Sequence, residues 1–442
     1  MASPPQPPDD FARAANDWDL ERLYEKLAAA KKEWAPHKKW GLTPTEKLRL
    51  RGLLCGYSPA EIAVKLQIDR RGLEANLVQG LYRYVEILTG RGANTLSNWR
   101  NIIDWLEEAG YTTPSSARLC QDWDGAPDVS SFYGRTSELG TLEQWIVRDN
   151  CRLVAILGMG GIGKTALAVR IAQQMRDKFE YVIWRSLRRS PPFASLQAGL
   201  WQFLHQTAPD LPQDTDGLIQ FFRQRRCLVV LDDWQTVLRS GHPAGHYLDG
   251  YEEYGELLTQ VGESSHQSCL LLASWEKPKE IALLESPTLP VRSFQLNGLG
   301  AAAKEILREK GLPEEEKWEE LIRPYRANPL ALKIVAATIQ DVFGGNVSEF
   351  LKKSLYLGDF EYLLYQHFQR LSALEKEILG RLARLQPLSI SQLGEDMQLD
   401  GSTELLKALE SLVRRSLIET VTESGSILFA VQPVVVKYVK SI

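Results

Sequence analysis

Apolar positions change their period several times along the chain, and each change marks a new module. After a proline-rich, acidic start, Leu20, Leu23 and Leu27 recur at helical spacing, so the pattern predicts a disordered tail over 1–16 and then an amphipathic helix. Thr43-Pro44-Thr45-Glu46 and Ser58-Pro59-Ala60-Glu61 each set a hydroxyl at an N-cap, a proline at the first helical position and a glutamate at the third. Two helix starts follow from these signals. Leu48, Leu50, Leu53 and Leu54 line the first helix, and Ile62, Ala63 and Leu66 line the second. A third, spaced by Leu73, Leu77, Leu81, Tyr84 and Leu88, completes a trihelical helix-turn-helix over 41–90, inside a helical N-terminal domain at 17–110.

The stretch 111–131 is rich in Ser, Thr, Pro, Asp and Gly and reads as a linker. Beyond it the period shortens. Apolar runs at 152–157, 181–187, 227–231 and 269–274 alternate with helical stretches, which predicts a parallel sheet with crossover helices over 132–297. Helical spacing alone follows over 298–357, a lid-like bundle. Over 358–442 three helices, the first opened by a capping box of Ser372 and Glu375, precede two short strands around Glu423-Ser-Gly-Ser426, the order of a winged helix. The fold class is therefore multidomain α/β plus α: helix-turn-helix, P-loop parallel sheet, helical lid and C-terminal winged helix.

Composition excludes several classes. The 442 residues are 44% apolar and 24% charged, an ordinary globular mix. No apolar run approaches the roughly 18 residues that a membrane span needs, and the start has neither the basic end nor the apolar stretch of a secretory signal. A cytoplasmic location without membrane contact is expected. Net charge is −4, so any nucleic-acid contact must come from a local basic face. The five cysteines, Cys55, Cys120, Cys151, Cys227 and Cys269, form no C-x-x-C and fit a reducing compartment. The His242-x-x-x-His246 spacing lies in a glycine-rich stretch without nearby cysteine and does not suggest a metal site.

The chemistry lies in the sheet region. Gly158-Met159-Gly160-Gly161-Ile162-Gly163-Lys164-Thr165 fits G-x-x-x-x-G-K-[ST] after an apolar strand and before a helix that begins at Ala166. Glycines let backbone N–H groups face phosphates, the helix N-terminus adds its dipole, Lys164 reaches the β/γ oxygens and the Thr165 hydroxyl is a Mg²⁺ ligand. Downstream, Cys227-Leu-Val-Val-Leu-Asp232-Asp233 supplies a second strand ending in carboxylates. Asp232 is expected to hold the magnesium and Asp233 to orient or deprotonate the attacking water, so Asp233 and Lys164 are the candidate catalytic pair. The intervening 181–187 strand implies that the two Walker strands are not adjacent.

Phe132-Tyr-Gly-Arg-Thr-Ser-Glu138, the Walker pair, Leu270-Leu-Leu-Ala-Ser-Trp-Glu-Lys277 and Ala327-Asn-Pro-Leu-Ala-Leu332 resemble, in order and spacing, the NB-ARC module of the STAND ATPases. The resemblance extends over 132–442 and is strongest to bacterial, particularly cyanobacterial, members. It implies an ATP/ADP switch in signal transduction or defence, with self-association in the ATP state. It also implies that Tyr133 and Arg135 pack near the adenine and that Pro329 caps the nucleotide from the lid. Two positions depart from the family pattern. Trp275 stands where a γ-phosphate-reading arginine is usual, and Gln432 where the winged helix carries a histidine for the ADP β-phosphate. Hydrolysis is accordingly expected to be weak.

The 41–90 segment is similar to the LuxR/GerE type of helix-turn-helix. Between Lys31 and Gly90 eleven Lys and Arg stand against six Asp and Glu. Arg70, Arg71 and Asn76 suit DNA, whereas Glu74 on the same helix face does not. Two uses stay open: a surface for a protein partner, or an ATP-regulated DNA-binding transcription factor.

Overall fold

The computed structural model describes residues 11, 14–37, 40–96, 98–99, 101–111, 120–129, 131–204, 211–385, 387–399, 401–423 and 426–442. The chain divides into two compact units, 1–118 and 119–442.

The N-terminal unit is helical. Most of the expected tail, 1–10, lies outside the described residues, but its end is ordered: Phe11 is fully buried and Ala14–Asp17 is helical. A lone phenylalanine among polar residues has no periodicity to announce it, yet here it packs on Tyr57. Both capping boxes form. The Thr43 and Ser58 hydroxyls accept from the N–H groups of Glu46 and Glu61, whose carboxylates accept from the cap N–H groups at 2.7 Å. Glu46 also takes a 2.7 Å ion pair from Lys31, a buried residue of the helix Leu20–Trp34. The third helix of the expected trihelical pattern is in fact two, Arg70–Gln79 and Leu81–Leu88, divided at Gly80. There φ is −128° and ψ is −97°, and a Cβ would lie 2.8 Å from the Asn76 carbonyl oxygen. The leucine spacing runs through this break because both helices face the same core.

In the second unit, six parallel strands form one sheet. They are β1 (Cys120–Asp122), β2 (Leu153–Leu157), β3 (Tyr181–Ser186), β4 (Cys227–Asp232), β5 (Cys269–Ser274) and β6 (Val291–Gln295), in the order β1-β3-β4-β5-β2-β6. Every residue of β2, β4 and β5 is buried, as expected for strands covered on both faces. Alternate residues serve opposite layers. Leu153, Ala155 and Leu157 join Phe193, Trp201 and Phe222 on one face, while Val154 and Ile156 join Leu167, Ile171 and Met175 on the other.

The sheet corrects two expectations. Part of the expected 111–131 linker is the edge strand β1, paired in parallel with Tyr181–Ile183; Cys-Gln-Asp is too short and polar to show a strand period. The two Walker strands, β2 and β4, are indeed not adjacent, but the strand between them is β5, not β3. β3 lies outside β4 because the crossovers run outward from β2 and then return.

Residues 303–351 and the C-terminal stretch share one apolar cluster, from Ala303 and Trp318 through Val335 and Leu364 to Leu412 and Tyr438, and Met159 of the P-loop belongs to it. The last part has helices Phe360–Gln369, Ala373–Leu385, Ile390–Met397, Thr403–Arg414 and Pro433–Ser441. A small antiparallel sheet β7-β9-β8 accompanies them, formed by Leu388–Ser389, Ser426–Val431 and Ile418–Glu423. Among the described residues no helix is long and apolar enough to cross a membrane.

Candidate functional site

The P-loop leaves β2 where the strand order changes direction, the place at which open α/β sheets bind ligands. Gly158, Gly161 and Gly163 have φ of +148°, +74° and +102°. A Cβ on Gly161 would lie 2.7 Å from Leu330, and one on Gly160 would lie 2.8 Å from Leu363. Two helices therefore press on the loop: Pro329–Phe343, entered through Leu330, and Phe360–Gln369. The helix Lys164–Met175 starts directly from Gly163, so its first amides face the loop.

Lys164 is buried, and its Nζ donates to the carbonyls of Gly158 and Met159 at 2.9 and 3.0 Å. Burial pulls its pKa down to about 8 against the opposing pull of Asp232 and Asp233. The Thr165 hydroxyl donates to Asp232 Oδ1 at 3.0 Å. Burial and then the neighbouring Asp233 charge push Asp232 up to about 6, opposed by the Thr165 hydrogen bond and by Lys164. Asp233 itself sits in the left-handed region at φ 59°, rare for a residue with a side chain, which turns its carboxylate off the strand axis. It accepts from Gln235 Nε2 at 2.9 Å and lies 3.6 Å from the exposed Arg188 guanidinium.

Two cavities meet over this loop. The larger, 910 Å³, is lined by Lys164, Thr165, Asp232, Asp233, Arg188 and Trp275, with Leu363 and Arg370 from the C-terminal module. The smaller, 210 Å³, is lined by Tyr133, Arg135, Ile162, Leu299, Ile306 and Pro329. Gly161, Gly163, Ala166, Leu330 and Lys333 line both. Of the residues expected from sequence, Tyr133, Arg135, Pro329 and the second half of the P-loop through Ala166 converge here with the Walker carboxylates. Arg135 also buttresses the loop, donating to the Ile162 carbonyl at 3.0 Å and to Glu138 at 2.7 Å. Gly158, Met159 and Gly160 line neither cavity. The first two supply carbonyls to Lys164, and the Met159 side chain enters the helical core. Gln432 lines neither cavity: it caps the last helix, and its Nε2 donates to Glu419 at 3.1 Å.

Sequence reasoning missed the histidine that hydrogen-bonds the loop from the C-terminal module. His367, buried on the helix Phe360–Gln369, accepts a hydrogen bond from the Gly160 N–H at its Nε2, 3.0 Å away. Its ring stacks on Trp275 with centroids 4.1 Å apart. Burial, with Lys164, Arg370 and Arg415 nearby, drives its pKa well below 6.5, so the imidazole is neutral. Beside it, Glu276 is buried and takes Arg370 and Arg415 on one oxygen, the latter at 2.6 Å. Arg415 also reaches Glu375 at 3.0 Å. No sequence motif marks these groups, since their partners stand between 40 and 207 positions apart in the chain. Asn328 caps the helix Pro329–Phe343 through Leu330 and Ala331 and donates to the Gly160 carbonyl at 3.1 Å.

Comparison with known proteins agrees with this geometry. Residues 135–241 match the NB-ARC domain. An uncharacterized WD repeat-containing protein of Nostoc sp., alr2800, is 44% identical over 349 residues, covering 74% of this chain and 27% of its own length. The disease resistance protein RPS5 of Arabidopsis thaliana is 24% identical over 193 residues, covering 42% of this chain and 19% of its own. The chain thus spans about a quarter or less of the length of these relatives. Among solved structures, a Walker-type ATPase of Pyrococcus abyssi aligns with 70% of this chain and 96% of its own, at TM-score 0.44 and 17% identity. The matched segment runs from Arg135 through the P-loop and Asp232-Asp233, so the part of the chain that builds this site is similar to an NB-ARC domain.

Proposed function

We propose that the chain is a nucleotide-dependent switch of the STAND type. It would bind ADP or ATP with Mg²⁺ between the sheet and the helical segment behind Pro329, and change conformation or self-associate on exchange. The observation that carries this reading is the meeting of two unlike cavities over one P-loop. One is small and largely apolar, between Tyr133 and Pro329, and suits a base. The other is larger and charged, and suits phosphates. Phosphates would lie on the amides of Gly161, Gly163, Lys164 and Thr165 and on the dipole of the helix that starts there. Thr165 and Asp232 offer adjacent hard oxygens, the donor set that Mg²⁺ takes beside nucleotide phosphates. When bound, the ion would supply charge neutralisation at the terminal phosphate, and Asp233 would orient a water in the same cavity. Turnover would be slow, because the strand-end position beside Asp232 is Trp275 instead of a cation.

In this reading 298–357 is the lid and 358–442 a winged helix, which supports the switch by closing on the P-loop. The protein would act in the cytoplasm, in bacterial signal transduction or defence. Labelled ADP should bind the wild-type chain and lose at least a hundredfold in affinity in Lys164→Ala; equal affinity in the two would remove the reading. Phosphate release no faster than that of Asp233→Asn would leave a binding switch without turnover.

The N-terminal helix-turn-helix would dock a protein partner. Val64 on its second helix, 78% exposed, Val78 on the third and Ile68 in the turn between them leave apolar side chains open to such a partner. Arg70 is engaged by Glu74 at 2.8 Å, and Asn76 donates to its own helix at Gly72. The alternative, an ATP-regulated DNA-binding regulator, keeps Arg70 and Arg71 as its basis. It requires salt-dependent duplex binding that Arg70→Ala with Arg71→Ala abolishes in a mobility-shift assay.

A further inference from the structure

We infer that His367 sets the preference between nucleoside diphosphate and triphosphate, by holding the P-loop amide that the terminal phosphate of a triphosphate needs. The inference rests on the switch reading and gives it a residue for nucleotide discrimination.

The argument starts at Lys164. A P-loop lysine reaches the β/γ oxygens, and the Lys164 ammonium lies against the carbonyls of Gly158 and Met159. That end of the loop is therefore the terminal-phosphate end, and the next amide along it is that of Gly160. Its N–H is turned to His367 Nε2 at 3.0 Å. A neutral imidazole nitrogen is a single-point acceptor, as a phosphate oxygen is, so the two are alternatives for one donor. Among the described residues the amides of Gly163, Lys164 and Thr165, further toward the helix, have no such partner from the C-terminal module and would serve a diphosphate with His367 in place.

His367 cannot move freely out of the way. Trp275 stacks on its ring from the end of β5. Leu363, one turn earlier on the same helix, would lie 2.8 Å from a Cβ on Gly160, so this helix packs closely on the loop. Arg370, three residues on, is tied to buried Glu276 and to the Leu238 carbonyl. A third phosphate at Gly160 must therefore displace the whole helix Phe360–Gln369, whereas a diphosphate leaves it seated. Discrimination passes through a histidine and a tryptophan where a sensor arginine is absent.

The test uses the full-length chain, stripped of nucleotide, with fluorescently labelled ADP and the β,γ-imido analogue of ATP. Wild type is expected to prefer the diphosphate. His367→Ala should tighten the triphosphate analogue about tenfold relative to ADP, the size of one ordinary hydrogen bond. His367→Gln, whose amide oxygen can accept from the same N–H, should keep the wild-type ratio. An unchanged ratio in His367→Ala with ADP binding intact would overturn the inference, as would a Gln variant that behaves like Ala. Wild type that binds neither nucleotide would instead remove the switch reading beneath it. Thermal unfolding of each variant separates lost binding from lost folding.

Discussion

Asp232 and Lys164 are both at odds with their surroundings, and the cost should be measurable in the ligand-free chain. The Asp232 carboxyl ionises near 3.8 when unfolded and at about 6 when folded. Between those values the folded chain keeps a proton that the unfolded chain releases, so stability falls as pH rises from about 4 to 6 and levels off above. Two pH units correspond to about 3 kcal/mol, and Asp232→Asn should flatten that slope in urea titrations at pH 4.5 and 7. Lys164 runs the opposite way: its folded value of about 8 lies below the unfolded 10.5, so its burial costs stability throughout the neutral range. Lys164→Met should raise the thermal midpoint of the ligand-free protein while removing nucleotide binding. Both charges are held ready for a ligand at the expense of the fold.

At the scale of elements, the sheet and the C-terminal module are joined by buried ions. Arg415 is 2% exposed and contacts Glu276, Glu375 and the His242 carbonyl, while the Ser411 hydroxyl accepts from Ala244 N–H and donates to Glu375. Arg415→Met would leave buried Glu375 without a cation and Glu276 with Arg370 alone, so a loss of about 3 to 5 kcal/mol is expected in denaturant unfolding. Glu276→Gln keeps one acceptor for the two arginines and should cost less. None of this network was legible in the sequence, because a buried ion pair leaves no periodic trace and its members are far apart in the chain. What was legible had a local cause. The capping boxes at Thr43, Ser58 and Ser372 form as their spacing requires. The strands β2, β4 and β5 carry uninterrupted apolar runs, and the glycines of the P-loop are demanded by backbone geometry. β6, Val-Arg-Ser-Phe-Gln at the sheet edge, and the break at Gly80 were missed because a half-exposed strand and a shared core face both blur the period. The expectation for Gln432 followed chain position, whereas the contact with the loop is made from an earlier helix.

At the scale of the molecule, every residue of the two cavities belongs to the second unit. A fragment spanning 119–442 should therefore bind labelled ADP with the affinity of the full chain, and a tenfold loss would show that the first unit contributes to the site. The starting residue of such a fragment matters for another reason. β1 is only three residues long, yet it covers Tyr181, Val182 and Ile183 of β3, and Arg185 fastens it through Asp122 at 2.6 Å. A fragment begun at 123 would leave the backbone donors and acceptors of an apolar strand facing water, an open template for another chain. Light scattering should find the longer fragment clear and the shorter one aggregating on mild warming. The short polar strand is thus a guard on the sheet, and it sets the point past which the second unit cannot be trimmed from its N-terminal end.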